Sequence, residues 1–127
     1  MINNFLILNF IGKNDKIGLK FDNNFFTHDF NNTIKNNDKL TLTILNFMKK
    51  HKVNFNNNFS ILVNNGPGSF SSIRVSLAIA KGIKISKKIN LFGFSNLDLG
   101  RFSLENIELL IKKNLIQKKL IKPIYLS

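Results

Sequence analysis

The stretch whose residue types and spacing most suggest chemistry is Gly66-Pro67-Gly68-Ser69, set between an apolar run at 59–63 and a helical pattern at 70–86. Glycines let the backbone turn sharply there. A helix N-terminus also presents free N–H groups and partial positive charge, so the junction can hold an anion. Two phosphate-binding patterns nevertheless fail. The Walker motif ends in Gly-Lys-Ser/Thr, where this chain has Ser71-Ser72-Ile73. The dinucleotide motif needs a third glycine where Ser71 stands and an acidic residue on the next strand, at 89–94, which has none. A tight strand-to-helix turn without ligand is the plainer reading of the same residues. Metal chemistry has little to work with. The absence of cysteine excludes disulfides and thiolate sites, and the two imidazoles, His28 and His51, lack a second ligand at metal spacing.

The elements that must position this loop follow from periodicity. Residues 4–10 form an apolar run of strand length, and 16–21 and 25–30 pair as a hairpin across Asp22-Asn23-Asn24, whose residue types tolerate positive φ. A polar segment at 31–37 leads to a helix at 39–51 with Asp38 as its N-cap. Leu40, Ile44, Phe47 and Met48 form the main apolar face of that helix, while Leu42 and Leu45 make a second strip off it. The cluster Lys49-Lys50-His51-Lys52 suits the negative end of the helix dipole and reads as a solvated end. A further strand follows at 89–94. Ser95 or Asn96 can cap a short helix, and a helical stripe runs from Ser103, in an imperfect capping box with Asn106, to Lys113. Pro123 makes the last segment extended. The order β-β-β-α-β-α-β-α is that of an α/β domain with a mixed sheet.

The chain has 127 residues with 43% hydrophobic content and thirteen Phe, enough for a buried core. No apolar run reaches the ~20 residues of a membrane-spanning helix, so a cytoplasmic, membrane-free protein is expected. The formal charge of +12 would draw RNA through counterion release. The same charge can equally be compositional, because Lys, Asn, Ile and Phe, abundant together here, share A/T-rich codons.

The helix at 70–86 carries Phe70, Ile73, Val75, Leu77, Ile79 and Ile83 around most of its circumference, which calls for cover on all sides. Ser72, Ser76 and Ala80, four residues apart, form a small-residue stripe suited to close helix packing. A partner subunit is the expectation, with Leu42, Leu45, Ser72, Ser76, Ile79, Ala80 and Ile83 at its interface. Arg74, one of two arginines, suggests a planar bidentate contact, either to an internal carboxylate or to a partner.

Residues 65–82, Asn-Gly-Pro-Gly-Ser-Phe-Ser-Ser-Ile-Arg-Val-Ser-Leu-Ala-Ile-Ala-Lys-Gly, resemble the hallmark segment of the TsaB (YeaZ) family, Gly-x-Gly-Pro-Gly-Ser-Phe-Thr-Gly-Leu-Arg-x-Gly. Leu91-Phe92-Gly93-Phe94-Ser95-Asn96-Leu97 and the closing Lys122-Pro123-Ile124-Tyr125-Leu126-Ser127 are similar to the family's following strand and ending. The departures are Ser72 and Ser76 in place of glycines, and Asn9-Phe10-Ile11 in place of the Asp-Thr remnant of an actin-like phosphate loop. Most of a second lobe is also missing.

The resemblance implies an actin-like (ASKHA, ribonuclease H-like) N-terminal lobe at 1–102, with a mixed sheet and flanking helices. Residues 103–127 would be a residual C-terminal helix and tail on the same domain. It further implies a non-catalytic scaffold, without cofactor, for TsaD, the subunit that transfers threonylcarbamoyl to an adenosine of certain tRNAs. The ATPase TsaE joins that assembly. The family's TsaB–TsaD contact uses the first two helices, here 39–51 and 70–86, and a homodimer in isolation would imitate it. Contact with tRNA would be indirect or weakly electrostatic. The alternative is a small basic RNA-binding protein using Phe25, Phe26 and Phe30. A minimal nucleotide hydrolase is disfavoured, since no metal carboxylate or general base stands near the glycine loop.

Overall fold

The computed structural model describes residues 2–30, 37–53 and 58–118, with side chains from residue 40 onward in the second stretch. The chain begins with strands β1 (Asn4–Asn9), β2 (Lys16–Phe21) and β3 (Asn24–Asp29), followed by helix α1 (Asn37–Lys50) and strand β4 (Phe59–Asn64). Helix α2 (Phe70–Lys87), strand β5 (Asn90–Phe94) and helices α3 (Asn96–Leu99) and α4 (Leu104–Lys112) complete it. The expected order of strands and helices is present, with ends moved by a residue or two. Among the described residues, no helix is long and apolar enough to cross a membrane.

The strands form one mixed sheet in the order β3-β2-β1-β4-β5. β1 to β3 are an antiparallel meander, and β1, β4 and β5 are parallel, with Leu8 opposite Val63 and Leu62 opposite Phe92. The β2–β3 hairpin closes through Asp22 at φ 54° and Asn23 at φ 66°, the left-handed pair that matches strand twist.

β1 and β4 are apolar on both faces because both are covered. On one face Leu6, Leu8, Phe59, Ile61 and Val63 meet Leu40, Ile44, Phe47 and Met48 of α1 and Ile73, Leu77, Ala80 and Ile83 of α2. On the other, Phe5, Ile7, Leu62 and Phe94 meet Leu99, Ile107 and Leu110 of α3 and α4. Lys20 Nζ donates to Glu108 at 2.7 Å, tying β2 to α4.

Several local expectations need correction. α1 begins at Asn37, so Asp38 stands in its first turn rather than ahead of it. His51 is no solvated end: its ring stacks on Phe26 at 3.8 Å and meets Phe47 edge-on at 5.0 Å, because the chain turns back there toward β3. The capping box at Ser103 is half formed. Ser103 Oγ accepts from the Asn106 N–H at 3.2 Å, while the Asn106 amide, too short to reach back as Glu does, donates to the Arg101 carbonyl. Ser95 caps α3, accepting from the Leu97 N–H. The readings at 31–36, 54–57 and 119–127, including the Pro123 segment, lie outside the described residues.

Candidate functional site

The glycine loop is stitched into its surroundings by its own backbone. After β4, Asn65 N–H donates to the Phe94 carbonyl at 2.9 Å, and the Gly66 carbonyl accepts from Asn96 N–H at 2.8 Å. The Gly66 N–H donates to Asn64 Oδ1 at 2.9 Å and the Ser69 N–H to the Ile11 carbonyl at 2.9 Å. Ser69 is the N-cap of α2, without a side-chain cap bond, and its carbonyl accepts from Ile73 N–H. The glycines serve close approach. A Cβ on Gly68 would fall 2.9 Å from the Ile11 carbonyl oxygen, and one on Gly12, at φ 103°, would fall 2.5 Å from Ser69 Cβ. Two of the amides that would face an anion, Gly66 and Ser69, are thus already engaged within the chain.

Facing this loop, the β1–β2 connection holds a carboxylate that the sequence reading missed. Asp15 Oδ1 accepts from the Ile11 and Gly12 N–H groups, both at 3.0 Å. Burial pushes its carboxyl above the ordinary range, and the two N–H bonds, to Gly12 and then Ile11, oppose that by favouring the charged form. The signal was present in Gly12-Lys13-Asn14-Asp15, since Asp in a tight loop folds back on nearby backbone. Below the loops, Asn64 Nδ2 donates to Asn9 Oδ1 at 2.7 Å and to Asn96 Oδ1 at 3.1 Å, joining the ends of β1 and β4 to the start of α3. A cleft of about 400 Å3 opens beside this network, with Lys13, Lys16 and Arg101 around it.

The second region is the outer surface of α1 and α2. Leu42 and Leu45 are 58% and 40% exposed, as the off-face strip predicts. Between the helices runs an apolar groove of about 390 Å3, bounded by Thr41 and Leu45 on one side and by Ala78, Ile79, Gly82, Ile83 and Ser86 on the other.

The expected stripe is not on this surface. Ser76 and Ala80 are fully buried and Ser72 half-buried. α2 lies on β4, β5 and β1, and small side chains let its backbone come down onto the strands. Ser76 Oγ donates back to the Ile73 carbonyl at 2.9 Å, which satisfies the buried hydroxyl. Ile79 and Ile83, also buried, form the edge of the groove. Ser76 and Ala80 are thus part of the chain's own core, and of the expected stripe only Ser72 keeps some exposure.

Nor is α2 apolar on all sides, since Arg74, Lys81 and Lys84 are exposed. A second small-residue row, Ala78, Gly82 and Ser86, does face outward, again four apart but two positions further along, about 200° around the helix. A Cβ on Gly82 would meet nothing within 4 Å. Arg74 has no carboxylate partner among the described residues; its guanidinium sits 5.7 Å over the exposed Phe70 ring.

A mixed sheet of this order, with α1 and α2 on one face and α3 and α4 on the other, is an actin-like lobe. YeaZ from Pseudomonas aeruginosa has the same fold, at a TM-score of 0.67 and 15% sequence identity, over 76% of this chain and 46% of that one. A crystal structure of an uncharacterized protein with similarity to peptidase YEAZ from Pseudomonas aeruginosa matches with the same score and identity, over 76% and 45%. The chain thus spans a little under half the length of these structures, and the resemblance read from residues 64–97 is borne out in the fold. A family model described as TsaD: tRNA N6-adenosine threonylcarbamoyltransferase matches residues 35–103, and the chain belongs to that family. No curated protein matches the sequence.

Proposed function

We propose that the chain is a non-catalytic scaffold in tRNA threonylcarbamoylation, seating a TsaD-like subunit on the α1–α2 surface. The observation that carries this reading is the apolar groove between the two helices, flanked by exposed Leu42 and Leu45 and floored by Ala78 and Gly82. Small residues in a helix-lined groove suit the close approach of a partner helix, and exposed leucines beside it supply apolar area to bury. A second copy of the chain uses the same surface when the partner is absent.

The one carboxylate of the β1–β2 loop, Asp15, is committed to its own backbone, which fits a non-catalytic role within a family that includes a transferase. RNA contact is confined to weak electrostatic attraction around Lys13, Lys16 and Arg101. The RNA-binding alternative is the less favoured reading, since Phe26 and Phe30 pack in part on one core cluster and Phe25 on the other.

The test is reconstitution with the TsaD-like subunit from the same source. Threonylcarbamoylation of tRNA should require both chains, co-elute with their complex, and be absent from this chain alone. Activity of this chain alone, or full activity of its partner without it, sinks the proposal.

A further inference from the structure

Asn65-Gly66 is the only Asn-Gly dipeptide in the chain. The pairing is chemically labile. The glycine nitrogen, once it has lost its proton to water or hydroxide, can attack the asparagine Cγ with no side chain in its way. The N–Cγ bond forms, Nδ2 leaves as ammonia, and the resulting cyclic imide takes up water to give aspartate or isoaspartate.

Here the folded chain holds what the reaction needs. The nucleophile is occupied, because the Gly66 N–H donates to Asn64 Oδ1 at 2.9 Å in a buried bond. Asn64 is itself fixed, fully buried and anchored through Nδ2 to Asn9 and Asn96. The backbone on either side is pinned, Asn65 N–H to the Phe94 carbonyl and the Gly66 carbonyl to Asn96 N–H. Asn65 is 3% exposed, which excludes the base and water that both steps require. Its Oδ1 has no donor among the described residues, so nothing polarises the amide toward attack.

We propose that Asn65 is a conditional modification site. It is silent while Asn64 holds the Gly66 N–H, and it converts to aspartate or isoaspartate when the loop opens through local or global unfolding. Conversion is one-way, because ammonia is lost. Isoaspartate also adds a methylene to the main chain between two pinned groups, the Asn65 N–H and the Gly66 carbonyl, so the loop cannot close with both bonds restored. The glycine loop thereby records whether a molecule has been open, independently of any partner.

Peptide mapping by mass spectrometry on the full chain tests this. Deamidation at Asn65 is followed in buffer, in unfolding urea, and in an Asn64→Ala variant whose urea midpoint gives its fraction folded. The expected result is a rate at least roughly tenfold higher in urea than in buffer. At equal fraction folded, Asn64→Ala should again run roughly tenfold above the unaltered chain, the scale of losing one buried hydrogen bond. Equal rates in buffer and urea overturn the proposal, as does a folded Asn64→Ala chain as slow as the original. Should that variant not fold, the urea comparison decides alone.

Discussion

Replacing Gly82 by alanine adds one methyl group on the outer side of α2, where a Cβ meets nothing within 4 Å. No neighbour must move, so the intrinsic difference between the two residues in a helix interior should appear undiminished, about 1 kcal/mol in favour of alanine. For a domain of this size that corresponds to roughly 3–6 °C in melting temperature. Gly82→Trp has the same freedom in the isolated chain but lays an indole into the groove of about 390 Å3 that Leu45 and Ala78 share with it. The isolated variant should melt within about 1 kcal/mol of the original, since tryptophan is the better helix former of the two. The TsaD-like subunit should no longer co-elute, and its affinity measured by calorimetry should weaken by at least roughly a hundredfold, about 2.7 kcal/mol. Circular dichroism and size-exclusion chromatography on both variants separate fold from partner. A Gly82→Ala chain less stable than the original would show that the space is not open. A Gly82→Trp chain that keeps its partner would place the contact elsewhere.

Ser76→Phe should do the reverse, costing about 3 kcal/mol of stability in the isolated chain because the site faces the sheet; a variant that melts normally yet loses its partner would return that stripe to the surface. Asp15 titrates higher in the folded chain than in the unfolded one, so its contribution to stability is present below about pH 4 and fades as pH rises through the folded value. Asn at that position keeps the acceptor without the charge, and Asp15→Asn should therefore gain stability on the original between about pH 4 and pH 7; a widening deficit over that range would contradict the assignment. RNA binding should fall steeply with salt and ignore base order, so a complex with one tRNA that survives high salt would restore the RNA-binding alternative.

Much of the fold was legible because each level of the sequence agreed with the next. Apolar runs marked the strands buried on both faces, and Asp22-Asn23 could supply two left-handed residues. Leu40, Ile44, Phe47 and Met48 fixed the inward face of α1, which left Leu42 and Leu45 outside. The phase of α2 was not legible. It carries two small-residue stripes, at 72, 76, 80 and at 78, 82, 86, and only the position of the sheet decides which is buried. Arg74 misled for a related reason: a planar cation satisfies an aromatic face as well as a carboxylate, and Phe70 is one turn away. The role of Asp15 depends on a loop folding back on itself, which periodicity does not register.

The tie among Asn9, Asn64 and Asn96 is made entirely of neutral amides. Amide groups neither gain nor lose protons across the range in which proteins fold, and their hydrogen bonds carry no net charge for mobile ions to screen. In a chain of net charge +12 this divides the molecule into two kinds of material. The lysine-rich exterior changes its fields with every change of buffer. The joint that sets the spacing of β1, β4 and α3 is indifferent to electrolyte and acidity alike.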